Sequence, residues 1–167
     1  MSLTAQVKLA IAASQLNALD LGTGQYPVNF NNTVNLANGT GANQANMIFT
    51  DTRTLSASAN EDLDLAGSLV DAFGNTITFT KLKGIIVTAD AGNTNNVQVT
   101  RPASNGVPLL MAAGDGIALT PGASFYAMFP GADGVAVTAS TGDLINIANS
   151  AGSTSVTYSV ILIGVAS

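Results

Sequence analysis

The sequence predicts an all-β protein, either an antiparallel jelly-roll-like sandwich or a short barrel. Apolar and polar residues alternate with a period of two over most of the 167 residues, which is the spacing of a strand with one buried face. Turn-forming Gly, Asn, Asp and Pro recur about every 8–12 residues, as in sandwiches and barrels. Helical periodicity is missing except at residues 14–20, where a helix remains an alternative.

The first candidate strand covers residues 6–12. A strand would place Val7, Leu9 and Ile11 on one face, whereas a helix would spread them around its surface. Two alternating segments follow, and Asn31-Asn32 between them predicts a turn. The same alternation predicts further strands at residues 26–30, 33–36, 47–49, 54–57, 61–65, 76–80 and 82–88.

A polar loop at residues 90–96 leads into a second strand-rich half. Its predicted strands are at residues 97–100, 109–111, 125–129, 135–137, 144–147 and 156–163. The last of these is the most apolar, so we expect it to be the most central. No composition break or charged linker divides the chain, and a single β domain over residues 1–167 is therefore predicted.

The composition argues against an enzyme. The chain has no His and no Cys, and only 9% of its residues are charged. Most protein chemistry near pH 7 uses a side chain that titrates there, a thiolate nucleophile or a metal bound by imidazole or thiolate. The sequence therefore predicts no catalytic residue, no cofactor and no metal site, and favours a structural or binding protein.

Two groups of side chains with oxygen atoms are candidates for a catalytic or an ion-binding site. Glu61, Asp62 and Asp64 could form the acid pair of a glycosidase. The chain has no Trp and few Tyr to support a sugar ring, so a solvated outer strand face is preferred for these acids. The loop at 90–96 offers Asp90 and three Asn to a structural calcium ion, but it has a single carboxylate and lacks the EF-hand order.

The balance of charged residues argues against some classes of binding partner. Ten acidic and five basic residues give a net charge of −5, which would repel the phosphates of nucleic acids. Lys81 and Lys83 are the only neighbouring cations, and a solvated strand face is preferred to an anion contact for them. The longest apolar stretch, residues 160–166, is too short to span a bilayer. We expect neither a nucleic acid nor a membrane as partner.

Three stretches resemble small virion structural proteins encoded among the head genes of tailed bacteriophages. They are residues 49–65, residues 67–86 with the turn Asp71-Ala72-Phe73-Gly74, and residues 141–164. Such proteins include capsid decoration, or cement, proteins. The resemblance implies a β-rich homotrimer on the capsid surface, with the major capsid protein as partner. It also implies a place in the virion, which is assembled in the cytoplasm of the host bacterium.

The segment at 125–129 is unusually aromatic for this chain. Because alternate strand residues point to opposite faces, Phe125, Ala127 and Phe129 can serve the core. Tyr126 and Met128 are then free for a subunit interface, and burial of both under a covering loop is the alternative. At the N-terminus, residues 1–5 are predicted to form a short arm, in which Ser2, Leu3, Thr4 and Ala5 contact the capsid; fraying of this end is the alternative.

Two functions therefore remain open at this point. A cement protein needs a broad, flat contact with a capsid. A receptor- or glycan-binding head-fibre or tail module needs a small polar pocket with an aromatic platform. The scarcity of Tyr and the absence of Trp favour the cement protein.

Overall fold

A computed structural model describes residues 2–167. It confirms the all-β prediction, since 58% of the chain is strand and no described residue is helical. None of the described residues belongs to a helix long and apolar enough to cross a membrane. The strands are β1 (Ala5–Leu19), β2 (Gly22–Asn38), β3 (Gln44–Ala45), β4 (Met47–Leu55), β5 (Asn60–Asp64), β6 (Phe79–Ala89), β7 (Val97–Thr100), β8 (Gly116–Leu119), β9 (Ser124–Met128), β10 (Val135–Ala136), β11 (Leu144–Asn149) and β12 (Val156–Ala166).

Strands β4 to β12 form a sandwich of two open antiparallel sheets. The first sheet has the order β9-β6-β12-β4, with β10 also pairing with β6, and the second has the order β5-β11-β7-β8. The pairs β4:β12, β5:β11, β6:β9 and β7:β8 nest one within the next, which is the pattern of a long hairpin wrapped into a jelly roll. The described residues form no closed barrel, so the sandwich is the correct alternative.

The core between the two sheets is mostly aliphatic, with three aromatic side chains: Phe49, Phe79 and Tyr158. β12 lies between β6 and β4, which confirms its central position. Its alternate residues Val156, Tyr158, Val160 and Leu162 are buried in this core. They face Ile147 and other apolar residues of the second sheet. Burial of each large side chain contributes about 1.5–3 kcal/mol, so apolar burial stabilises the sandwich.

The two lysines of β6 do not share a solvated face. Lys83 is completely buried, so the prediction was wrong for it. Its ammonium group donates to the backbone carbonyls of Gly41, Gly131 and Ala132, while Lys81 donates to Ala132 at 3.1 Å. Two loops from distant parts of the chain thus close over β6. Loss of hydration lowers the pKa of Lys83 from its ordinary value.

The N-terminal third forms a single long β-ribbon. β1 and β2 pair in an unbroken antiparallel register from Ala5 opposite Leu36 to Leu19 opposite Gly22. Residues 14–19, where a helix was an alternative, belong to β1. The turn predicted at Asn31-Asn32 is wrong, because both residues lie within β2, where the register with β1 keeps them extended. The chain instead reverses at residues 20–21.

Candidate functional site

The two faces of the β-ribbon differ in chemistry. In its inner half, one face carries apolar pairs, namely Val7 opposite Val34, Ile11 opposite Phe30 and Ala13 opposite Val28. Leu9 lies on the same face, opposite Asn32. The other face carries polar or small side chains, such as Gln6 opposite Asn35, Lys8 opposite Thr33 and Ala12 opposite Asn29. We call the first of these the apolar ribbon face.

Much of the apolar ribbon face is open to solvent. Eight of the thirteen exposed large hydrophobic side chains among the described residues lie on the ribbon. Six of them belong to the apolar ribbon face and are 40–67% exposed: Leu9, Ile11, Leu19, Tyr26, Val28 and Phe30. Monomeric proteins seldom leave apolar side chains grouped in this way unless the group binds something.

The base of the ribbon is anchored on the body. Leu36 and Ala45 are buried in a small cluster with Ile163 of β12, and Val7 and Val34 pack against this cluster. β3 also pairs with the end of β2 in parallel. The apolar ribbon face thus begins as part of the molecule's own packing and continues beyond it into solvent.

The predicted N-terminal arm lies at this base. Leu3 and Ala5 pack against the same small cluster, and Ala5 is the first residue of β1. The backbone N–H of Leu3 donates to the side-chain oxygen of Asn38 at 3.0 Å. Ser2 and Thr4 are exposed, and Met1 lies outside the described residues. The segment that extends from the body is therefore the ribbon at residues 5–38, which the sequence analysis did not identify.

Tyr126 and Met128 lie on the outer face of the first sheet, as their alternation predicts. Phe125, Ala127 and Phe129 pack against the core. Met128 packs against the cluster at the ribbon base, so the ribbon of the same chain covers part of it. Tyr126 is half-buried, and its hydroxyl group is buried without a hydrogen-bond partner in the described chain.

Two rows of side chains on this outer sheet face carry no charge. Tyr126, Ile86, Ile161 and Thr50 lie side by side across the four strands. The next row consists only of hydroxyl side chains, paired as Thr88 with Ser124 and as Thr52 with Ser159, both at 2.9 Å. The four hydroxyl groups of this second row already have partners within the chain. The two rows together form an extended surface with a shallow concavity of about 260 Å³ beside Thr50 and Ser159.

The acidic side chains of β5 lie in two different environments. Glu61 points inward and joins the two sheets: it accepts from Arg53 of β4 at 2.5 Å and from the Tyr158 hydroxyl of β12 at 2.8 Å. The expectation that all three acids lie on a solvated outer face is therefore wrong for Glu61. Burial, and then the hydrogen bond to Glu61, raise the pKa of Tyr158 well above its ordinary value of 10.0.

The other two acids of β5 are held by local hydrogen bonds. Asp62 accepts from the side-chain amide of Asn146 at 2.7 Å, and Asp64 accepts from the backbone N–H of Ala66 at 2.9 Å. Arg53 is also occupied, since it pairs with Asp51 at 2.8 Å as well as with Glu61. These carboxylates and this guanidinium thus connect strands and turns to one another.

The loop at 90–96 uses its polar groups to fix the sandwich. Asn93 exchanges two hydrogen bonds with the backbone of Thr157, both at 2.8 Å. The amide of Asn95 donates to Asn149 at 3.0 Å and also to carbonyls of the β11–β12 connection. Asp90 accepts from the backbone of Gly92. Among residues 2–167, no three His, Cys, Asp or Glu side chains converge so that they could hold a metal ion.

Two surface concavities have few groups for chemistry. One of about 250 Å³ is lined by Gln98, Thr100 and neighbouring residues of β7 and β8, with no ionisable side chain. An apolar one of about 180 Å³ lies beside Leu3, Ile48 and Phe73. Its single ionisable group is Asp71, which accepts two backbone hydrogen bonds within its own turn. That turn is the one predicted at residues 71–74.

Comparison of the chain with models of protein families, with curated proteins and with solved structures found no match. The chain has a jelly-roll body with two uncharged rows on its outer sheet face and a projecting ribbon whose apolar face is exposed.

Proposed function

We propose that this chain is a structural virion protein of a tailed bacteriophage that binds the outer surface of the capsid and stabilises it, as decoration or cement proteins do. The observation that carries the proposal is the pairing of a compact jelly roll with broad, uncharged interaction surfaces. Jelly rolls are common among viral capsid proteins, although the fold alone does not determine function. The resemblance of residues 49–65, 67–86 and 141–164 to phage virion proteins supports the same proposal.

The internal use of ionic groups supports a structural role. Glu61, Arg53 and Lys83 each bind other parts of the chain, and the polar groups of the 90–96 loop do the same. A protein that binds through a broad contact does not need such groups in a pocket, because its affinity comes from shape complementarity and apolar burial. The surfaces available for that contact are the outer sheet face and the ribbon.

Self-association as a trimer is part of this proposal. Tyr126 and the hydroxyl row beside it form an uncharged part of the sheet face, on which identical copies can meet without like-charge repulsion. The major capsid protein is the proposed partner of the assembled trimer, in the virion.

A receptor- or glycan-binding head-fibre or tail module is the second candidate. The exposed aromatic residues favour it: Tyr26 and Phe30 on the ribbon, and Phe73 in the turn after β5. Aromatic side chains on a projecting element can stack on a sugar ring or on an apolar receptor surface. The jelly roll does not separate the candidates, because lectin domains also use it.

Imaging of virions assembled with and without this gene product separates the two candidates. A capsid protein should give regular density on the outer capsid surface, which is lost without the gene and restored when purified protein is added to the bare shells. The restored shells should also resist heat better than bare shells. Density at a tail tip or fibre, with no difference on the capsid surface, would contradict the proposal and support the adhesin.

A further inference from the structure

The outer part of the ribbon lacks the packing that such an element needs. Beyond its base, β1 pairs only with β2, and β2 pairs with β3 only at Ala37 and Asn38. A two-stranded hairpin alone is marginally stable in water and needs a third strand or a packed face. Since Leu9, Ile11 and Phe30 are exposed in the single chain, the missing packing must come from another molecule.

The charge on the ribbon suits a second copy of the same chain. Within residues 5–38 the charged side chains are Lys8 and Asp20. Lys8 lies on the opposite face, and Asp20 lies in the turn. The apolar ribbon face itself carries no charge. Two identical copies can therefore place these faces together without bringing like charges into contact.

The exposed area is sufficient for a stable contact. Large side chains have areas of about 150–250 Å² when fully exposed. With the exposed fractions above, the six apolar residues offer roughly 600 Å² per copy, or about 1,200 Å² for two copies, which is the low end of specific interfaces.

The shape of the ribbon also favours a second ribbon as its partner. Two-stranded ribbons have a strong twist of fixed hand, so the apolar ribbon face winds around the ribbon axis along its length. A flat or rigid surface can touch only part of a winding face. An identical ribbon has the same twist and can coil along the whole of it.

We propose that copies of this chain associate ribbon against ribbon, with their apolar ribbon faces buried together. This inference rests on the self-association in the proposed function and adds the apolar ribbon face to the sheet face as a contact surface between copies. The contact stabilises the outer ribbon, because its apolar side chains leave water only when two copies meet.

The contact can be tested by measuring how well it protects an introduced cysteine thiol from chemical modification. Two variants are used, and each replaces one alanine by cysteine. Ala13 lies on the apolar ribbon face and Ala12 lies on the opposite face, and the chain has no cysteine of its own. At concentrations where the protein is associated, the thiol of Ala13→Cys should react with a bulky maleimide at least about tenfold more slowly than that of Ala12→Cys. Dilution should remove the difference. Equal rates at every concentration, or equal protection at both positions, would overturn the proposal.

A second pair of variants measures association directly. Ile11→Thr with Phe30→Thr removes apolar area but keeps strand-forming residues, and Ala12→Thr with Asn29→Thr is the matched control on the other face. Sedimentation should show association weakened at least about tenfold by the first pair and unchanged by the second. If the unmodified protein is multimeric and the first pair of substitutions does not weaken its association, the ribbon contact is overturned. A monomeric unmodified protein with both thiols reactive would also overturn it and assign the face to another partner. Neither result depends on capsid binding, which is measured separately on virions.

Discussion

Glu61 makes two side-chain interactions within the fold, and both connect the two sheets. It belongs to β5 of the second sheet, and both of its partners, Arg53 and Tyr158, belong to the first sheet. The guanidinium of Arg53 also lies 5.8 Å from the centre of the Phe49 ring. A carboxylate between the sheets is tolerated because a cation and a hydroxyl donor offset its loss of hydration. The cluster thus connects the sheets through polar groups beside a mostly aliphatic core.

Residue-level patterning predicted the direction of many side chains but not their partners. Alternation placed Phe125 and Ala127 inward and Tyr126 outward, and the structure agrees. It did not predict that Lys83 would be buried, since that depends on carbonyl groups of loops around residues 41 and 131. Period-two alternation identifies the face of a strand, whereas a buried polar contact also requires the positions of distant segments.

Tyr158→Phe should change how stability depends on pH. The pKa of Tyr158 is raised in the folded protein, while the unfolded phenol ionises near 10. The contribution of the Tyr158 phenol to the free energy of unfolding is therefore complete below about pH 10 and is lost as the pH rises above that value. Urea unfolding between pH 8 and 11 should show a steeper loss for the unmodified protein than for the variant. At neutral pH the variant should be less stable by about 1.5–3 kcal/mol.

Val156→Ala serves as the control for this prediction. It removes methyl groups from the same strand and the same core, and should lower stability at every pH without changing the slope. An identical slope above pH 10 for the unmodified protein and Tyr158→Phe would show that this phenol does not contribute to the alkaline loss.

At the scale of elements, the ribbon is the feature that sequence patterning missed. The strands at residues 6–12, 26–30 and 33–36 were predicted correctly, but Asn31-Asn32 was interpreted as a turn between the last two. In the structure Asn31 lies opposite Ala10, within a continuous ladder. The register with β1 overrides the local turn preference of Asn. The real reversal, at Asp20-Leu21-Gly22, lacks the Asn-Gly signal of a short hairpin.

Shortening the ribbon should leave the body folded. Lys8 and Thr33 are directly opposite each other, so residues 9–32 can be replaced by an Asn-Gly turn, which matches the twist of a hairpin. The main core contains no residue from the removed segment. The melting temperature of the body, measured at a concentration where both proteins are monomeric, should change by no more than about 4 °C. Failure of the shortened chain to fold would show that the outer ribbon stabilises the sandwich directly.

The whole molecule consists of a jelly-roll body and a ribbon that extends from it. The jelly roll could be predicted as a class, because short alternating strands with turns between them have few other arrangements. The nested pairing from β4:β12 to β7:β8 could not be predicted, since it depends on which distant strands become neighbours. The projecting ribbon could not be predicted either, because alternation indicates an apolar face without showing whether the chain itself covers it.

Association of whole molecules should resist salt. Each copy carries a net charge of −5, and this charge opposes association at long range. The proposed contact surfaces on the sheet and the ribbon are uncharged. Raising NaCl from about 0.1 to 1 M shortens the screening length from about 10 to 3 Å, which should strengthen association or leave it unchanged. Sedimentation across this range measures the effect, and dissociation at high salt would indicate that ion pairs hold the copies together.

Pro27 gives the ribbon a protection against fibril growth. Both outer edges of the ribbon are largely unpaired, and open edges of alternating apolar strands can recruit further strands from other chains until a cross-β fibre forms. Pro27 of β2 lies opposite Ser14 of β1. Its backbone has no N–H group to donate to an added strand. Together with the charge of Lys8 on β1, it limits edge-to-edge growth while leaving the apolar face free. The ribbon can thus expose its apolar face with a reduced tendency to polymerise sideways.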